Sequence, residues 1–231
     1  MIPPDSEELN VVNRIKTKGY GKGVKSVMLL AHGAGAPMDS PFMEQLSEAL
    51  DRQGIATVRF EFPYMVRRRE DGRKRPPDRM PVLLDSFQAE VARVRDEVGE
   101  DCQVLVGGKS MGGRVASMLA SDHATDISGV ICYGYPFHPP GKPDRWRIDH
   151  FLTVGCPMMI VQGTRDPFGK PEEVAAQGEM PGLARLCWLD GGNHDFQTPA
   201  RHPDSQATLI ERAAGETGRF VQELLAGSEL R

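Results

Sequence analysis

Ser110 stands in the stretch "QVLVGGKSMGGRVA", residues 103–116, and two chemistries use residues of this kind. "GKS" ends a phosphate-binding loop, in which Lys109 would meet phosphate oxygens. "GKSMG" is also G-x-S-x-G, the sharp turn between a strand and a helix that exposes a nucleophilic serine. A phosphate loop needs G-x-x-x-x-G-K-[ST], so that several backbone N–H groups can curl around the anion. Its first glycine would fall at Gln103, and the apolar run through Val106 leaves no room for a cradle. The nucleophile turn instead needs small flanking residues, a strand before it and a helix after it. Gly108, Gly112 and Gly113 are small, Val104 to Val106 form the strand, and the chain from Arg114 onward forms the helix.

A serine hydroxyl attacks a carbonyl only when a base takes its proton and an acid orients that base. Where this turn is used, the chain order is Ser, then Asp or Glu, then His. Asp166 lies in "MMIVQGTRDPFG" and His194 in "LCWLDGGNHDF", each just past an apolar run. Singly, each has a plainer reading. An aspartate before proline is a common turn residue, and a lone histidine in a glycine-rich loop is commonly solvated. Joint order and position favour His194 as base and Asp166 as its orienter. Asp190 and Asp195 are rivals for the acid role, but they lie too close to His194 in sequence to reach around its ring easily.

The oxyanion that forms on attack needs two N–H donors. Met111, next after the nucleophile, is one. The other is expected from "LLAHGAGAP", residues 29–37, whose small residues let backbone approach a substrate closely. Ala34 is the expected donor, with Gly33 and Gly35 as alternatives that would also contact substrate. His32 reads as a structural hydrogen-bonding group. No metal ligand set and no cofactor is implied.

These residues need elements that carry them to one place. Short apolar runs occur at 26–32, 55–62, 102–108, 129–134, 157–163 and 185–191. They are continuous rather than alternating, as in strands buried on both faces. Helical patterns fall between them: 40–54 with Ser40 as cap and Pro41 in the first turn, 81–98 ended by Gly99, one starting at the quoted turn, a short one near Pro171, and one from about Ser205 to Leu225. This predicts an α/β fold of about six mostly parallel strands flanked by helices, with no large cap domain. Val11, Val12 and Ile15 could add an edge strand. The whole chain, 1–231, reads as a single domain with its core at about 25–225. Ligands in such sheets sit beyond the carboxyl ends of the strands, where all three triad candidates fall.

Bulk properties exclude other classes. The net charge of −4 makes no electrostatic case for nucleic acid. No apolar run is long enough to span a bilayer. The start "MIPPDSEELN" lacks the basic and apolar regions of a secretory signal. The four cysteines, 102, 132, 156 and 187, form no C-x-x-C pair and read as reduced, mostly buried thiols of a cytoplasmic protein.

Taken in order, "HGAGAP", "GKSMGGR", "GTRDPFG" and "GGNHDF" resemble the α/β-hydrolase superfamily. With "FPYM", "GRKRPPDRMP" and "YPFHPPGKPDRWR", the chain is similar to the small KANL/Tex-type branch of α/β-hydrolase-like proteins, with dienelactone-hydrolase-like proteins as broader relatives. The resemblance implies the hydrolase fold, with Ser110, Asp166 and His194 matching the triad. It implies no substrate, and some relatives look like complex subunits rather than enzymes.

Two segments remain. "YMVRRREDGRKRPPDRMP", 64–81, reads either as a solvated loop or as a basic lid meeting an anionic substrate or partner. "YPFHPPGKP", 135–143, places Tyr135, Phe137 and His138 where they could wall an acyl pocket. The resulting expectation is a serine hydrolase of a small carboxylic ester or thioester. The different-class alternative is a non-catalytic interaction module on the same scaffold. Lys109 keeps no assigned role.

Overall fold

The fold is given by a computed structural model that describes residues 14–122 and 127–227. The six apolar runs form β2 (Ser26–Ala31), β3 (Ala56–Phe60), β4 (Gln103–Lys109), β5 (Gly129–Tyr133), β6 (Met158–Gly163) and β7 (Leu183–Leu189), preceded by a short β1 (Arg14–Lys16). They make one seven-stranded sheet in the order β1-β3-β2-β4-β5-β6-β7. All neighbours are parallel except β1, which pairs antiparallel with β3. Ile15 is therefore in the suggested edge strand, while Val11 and Val12 lie outside the described residues.

Every residue of β2, β3, β5 and β6 is buried, as their unbroken apolar runs require of strands covered on both faces. The helices are α1 (Pro41–Arg52), α2 (Pro63–Asp71), α3 (Met80–Val98), α4 (Met111–Asp122), the short α5 (Pro171–Ala175) and α6 (Gln206–Leu225). One core layer contains residues of α3 and α4, the other residues of α1 and α6. In the first, Phe60, Phe62 and Phe87 meet edge to face at 4.8–6.2 Å. Each is at most 1% exposed, so each contributes about 1.5–3 kcal/mol of apolar burial. Among the described residues no helix is long and apolar enough to cross a membrane.

Two local expectations change. Ser40 holds the N-cap position of α1, but its hydroxyl makes no cap hydrogen bond. Residues 64–81 are not one loop, because their first half is helix α2. Pro63 starts it, Gly72 ends it in the left-handed region at φ 70°, and Tyr64 and Met65 anchor it in the core. Four of the segment's arginines are spent inside the chain. Arg67 pairs with Asp78 at 2.5 Å, and Arg69 with both Glu61 and Asp39 at 2.6 Å. Arg75 pairs with Asp71 and Arg68 bonds the Gly35 carbonyl. Local charge balance was readable in part, since three of these acceptors, Glu61, Asp71 and Asp78, are acids within or near the basic run.

The edge strand β1 is held by Glu97, at the end of α3. Its carboxylate accepts from Arg14 at 2.8 Å and from Lys16 and the Tyr20 hydroxyl at 2.5 Å. Burial pushes this carboxyl upward, but the three hydrogen bonds overcome it and hold the group at about 2, below the ordinary 4.5. A depressed carboxyl pKa contributes stability that is fully present above the unfolded value and is lost as pH falls through the folded one. The contribution should therefore disappear between about pH 4.5 and 2. Glu97→Gln is expected to flatten that part of the acid-unfolding profile, modestly, because the group is partly exposed. An unchanged slope in urea titrations across that window would remove Glu97 from the account.

Candidate active site

The sheet order reverses beside β2: the chain steps to β3 on one side, then crosses to β4 on the other. Ligands in open α/β sheets bind at such a switch point. The loop after β2 and the turn after β4 face each other there. Ser110 is the single residue between β4 and α4, and it is held at φ 53°. A non-glycine residue in this region is strained, and the surroundings fix it. The Ser110 N–H donates to the Tyr133 carbonyl at 2.9 Å, and its own carbonyl accepts from the Arg114 N–H at 3.1 Å.

The neighbouring glycines make the close approach possible. A Cβ at Gly108 would lie 2.4 Å from the Ala31 carbonyl oxygen, and one at Gly112 would lie 2.5 Å from the same atom. Any larger residue at either position would push the nucleophile turn away from the β2 loop. Lys109 belongs to strand β4, so "GKS" forms no phosphate cradle.

The structure brings Ser110, His194 and Asp166 together. His194 Nε2 lies 2.8 Å from Ser110 Oγ, and His194 Nδ1 lies 2.8 Å from Asp166 Oδ2. Asp166 is fully buried and takes two further hydrogen bonds. Oδ2 also accepts from Gln162 Nε2 at 3.0 Å, and Oδ1 accepts from the Phe168 N–H at 2.9 Å. The Phe168 ring lies against the imidazole with centroids 4.3 Å apart. The rival acids are elsewhere: Asp190 faces His202 and Asp195 faces Lys109. With Nδ1–H donated to Asp166, Nε2 would be the imidazole nitrogen left to accept from the serine hydroxyl.

A cavity of about 330 Å³ opens beside these groups. Gly33, Ala34, Gly35, Ser110 and His194 line it, with Ala36, Ser40, Phe42, Met43, Lys109, Phe168 and Asp195. The peptide between Gly33 and Ala34 is held from behind. Its carbonyl accepts from His32 Nδ1 at 2.7 Å, and the Tyr64 hydroxyl donates to the next carbonyl, that of Ala34, at 3.0 Å, with the Gly33 oxygen at 3.3 Å. His32 Nε2 meanwhile accepts from the Phe62 N–H at 3.2 Å, so the proton sits on Nδ1. Burial holds His32 below its ordinary value and keeps it neutral. In a trans peptide N–H and C=O point opposite ways. Pinning the Gly33 carbonyl therefore turns the Ala34 N–H the other way. Among the described residues neither the Ala34 nor the Met111 N–H is spent on an internal acceptor.

Tyr135, Phe137 and His138 do not line this cavity, contrary to expectation. Gly134, at φ 64°, turns the chain after β5 toward the layer built with α3 and α4, whereas α1 on the other face walls the cavity. Tyr135 donates to the Arg147 carbonyl at 2.7 Å, Phe137 packs on Tyr135, and His138 packs on Trp146 near Glu173. Sequence reasoning in turn missed Gln162, Phe168 and Phe42. Gln162 is the one polar side chain inside the apolar run "PMMIVQG" (157–163), a signal that a buried partner awaits it. Among the described residues no cluster of three or more His, Cys, Asp or Glu could hold a metal ion.

A parallel sheet whose switch point carries Ser, His and Asp in relay defines a protein of the α/β-hydrolase class. A family model described as "Alpha/beta hydrolase domain" matches residues 24–222, and the chain belongs to that family. Among solved structures it is similar to the ferulic-acid complex of Est1E from Butyrivibrio proteoclasticus (TM-score 0.68, 17% identity, 93% of this chain and 95% of that one). It is also similar to an esterase of Pyrococcus furiosus (0.66, 18%, 92% and 85%) and to dienelactone hydrolase from Anabaena variabilis (0.61, 20%, 84% and 85%). A curated relative from Mycobacterium tuberculosis, provisionally named a phosphoribosyl transferase, is 26% identical over 177 residues, 76% of this chain. The chain spans 38% of that relative's length.

Proposed function

We propose that this chain is a serine hydrolase that cleaves small carboxylic esters or thioesters through an acyl-enzyme on Ser110. The observation that carries the reading is the unbroken relay of two 2.8 Å contacts from Ser110 Oγ through His194 to Asp166. In this mechanism His194 Nε2 takes the hydroxyl proton as Oγ bonds to the substrate carbonyl carbon. The oxyanion is met by the N–H groups of Met111 and Ala34. Collapse of the adduct breaks the bond to the leaving alcohol or thiol, which takes the proton from His194. Water, deprotonated by the same nitrogen, then releases the acid and restores Ser110.

Phe42, Met43 and Phe168 give the cavity an apolar wall suited to a short acyl chain. Three of the six arginines of residues 64–81, Arg67, Arg69 and Arg75, are paired with acids, so a neutral ester is the first substrate class to try. The placing in a reducing, cytoplasmic compartment rests on the four free thiols, of which Cys102, Cys132 and Cys156 are buried.

The test is labelling of the folded protein by a fluorophosphonate, followed by mass mapping of the adduct. Modification on the peptide containing Ser110 is the expected result. Folded protein that takes no label would sink the enzymatic reading and leave the interaction module standing. A panel of matched esters and thioesters then separates the two substrate classes.

A further inference from the structure

Lys109 is the cavity residue that acyl transfer leaves unused. It ends β4, yet its side chain turns inward and it is only 6% exposed. Nζ lies 3.2 Å from Asp195 Oδ1 and 5.5 Å from the centre of the Phe42 ring. A Cβ built on Gly134 would sit 3.3 Å from Lys109 Nζ and 3.3 Å from His194 Nδ1. The ammonium and the imidazole thus flank the same glycine. Asp166, which bonds Nδ1, is also near enough to act on the Lys109 charge.

This arrangement is expensive for stability alone. Burying an ammonium is costly unless it is well paired, and Asp195 is an exposed partner, with 59% of its side chain open. Burial holds Lys109 below its ordinary value, with Asp195 and Asp166 opposing that shift. What the pair does achieve is local. Asp195 follows His194 in a short turn whose Asn193 Oδ1 accepts from both the Asp195 and Gln197 N–H groups at 2.9 Å, and whose Phe196 is held at φ 60°. A tether on Asp195 in so stiff a turn is a tether on His194.

We infer that Lys109 is a positioning residue for His194: it anchors the base-bearing turn through Asp195 and stands beside the imidazole across Gly134. The inference rests on the proposed role of His194 as base. The groups facing the imidazole are Asp166 beyond β6, Lys109 and Ser110 at the end of β4, Phe168, and Asp195 within its own turn. A nearby cation disfavours imidazolium and a nearby anion favours it. Removing Lys109 and removing Asp195 must therefore move the His194 titration in opposite directions, although both loosen the same turn.

The experiment follows the His194 imidazole by NMR titration, and kcat on a short ester, in the full chain and in Lys109→Met, Lys109→Arg, Asp195→Asn and the Lys109→Met/Asp195→Asn double variant. The titration midpoint should rise by about half a unit in Lys109→Met, fall in Asp195→Asn and stay near the parent in Lys109→Arg. Each neutral single variant should lose about tenfold in kcat, and the double variant should be no worse than the poorer single one. An unmoved midpoint, shifts of the same sign, or kcat losses that multiply would overturn the inference. Should Lys109→Met not fold, the double variant, which leaves neither charge unpaired, is compared with Asp195→Asn, and an equal His194 midpoint in the two would overturn the inference. The titration needs no turnover, so it judges Lys109 even where the parent is inert to esters and fluorophosphonate, an outcome that would count against the hydrolase reading instead.

Discussion

Ser110→Ala is expected to lower kcat on a short ester by about 10⁶-fold while the protein stays folded. The fold should survive because alanine keeps the Cβ that already tolerates φ 53°, and because the two hydrogen bonds that fix this residue are made by its backbone. What is lost is Oγ alone. His194 Nε2 then faces the cavity with no nucleophile to deprotonate, and only the N–H donors and the apolar wall remain. Donors and binding alone leave about 10³–10⁴-fold acceleration over water in comparable sites. The check pairs steady-state hydrolysis by protein purified free of host esterases with a thermal melt matching the parent. Retention of more than about 1% of parental kcat in well-folded protein would assign the chemistry to another residue.

Asp166→Asn should cost about 10⁴-fold in kcat with little change in KM, although it preserves size and shape. The reason lies in the donors that surround this carboxylate. Oδ2 accepts from His194 and Gln162, and Oδ1 accepts from the Phe168 N–H. Asparagine must place an NH₂ group at one of these positions, where it meets a donor in either orientation. Facing His194, it would force the proton onto Nε2, the atom that must accept from Ser110. Facing Phe168, it would leave two buried donors opposed, a cost of about 1–3 kcal/mol that falls on the loop carrying the acid. A loss of less than about tenfold would mean that His194 is oriented by something else.

The strands were legible because burial on both faces leaves an unbroken apolar run, a purely local signal. The glycines around Ser110 were legible for a related reason: only small residues can stand where backbone from β2 passes within hydrogen-bond distance. Segment 64–81 was less so. Its charge suggested solvent, but Pro63, Tyr64, Met65 and Gly72 are a start, an anchor and a stop for α2, and the run carries acids that neutralise several of its own arginines. Tyr135, Phe137 and His138 followed a strand end as Ser110 and Asp166 do. Proximity to that edge could not say which face of the sheet they would turn to, and one glycine at positive φ decided it.

By itself, then, the sequence determined the strand–turn–helix around Ser110 and the order Ser, Asp, His along one edge of the sheet. These follow from apolar patterning and from the small residues a tight turn demands. Only the tertiary structure decided that Gln162 and the Phe168 N–H both bond Asp166, that Phe42 and Phe168 wall the cavity, and that Lys109 folds inward to Asp195. The cavity wall and the Lys109–Asp195 pair join segments distant in the chain, whereas Gln162 and Phe168 lie within four residues of Asp166 and meet it only because the turn after β6 folds back. Their energy depends on which buried donor meets which acceptor across the core, and no local spacing records that match.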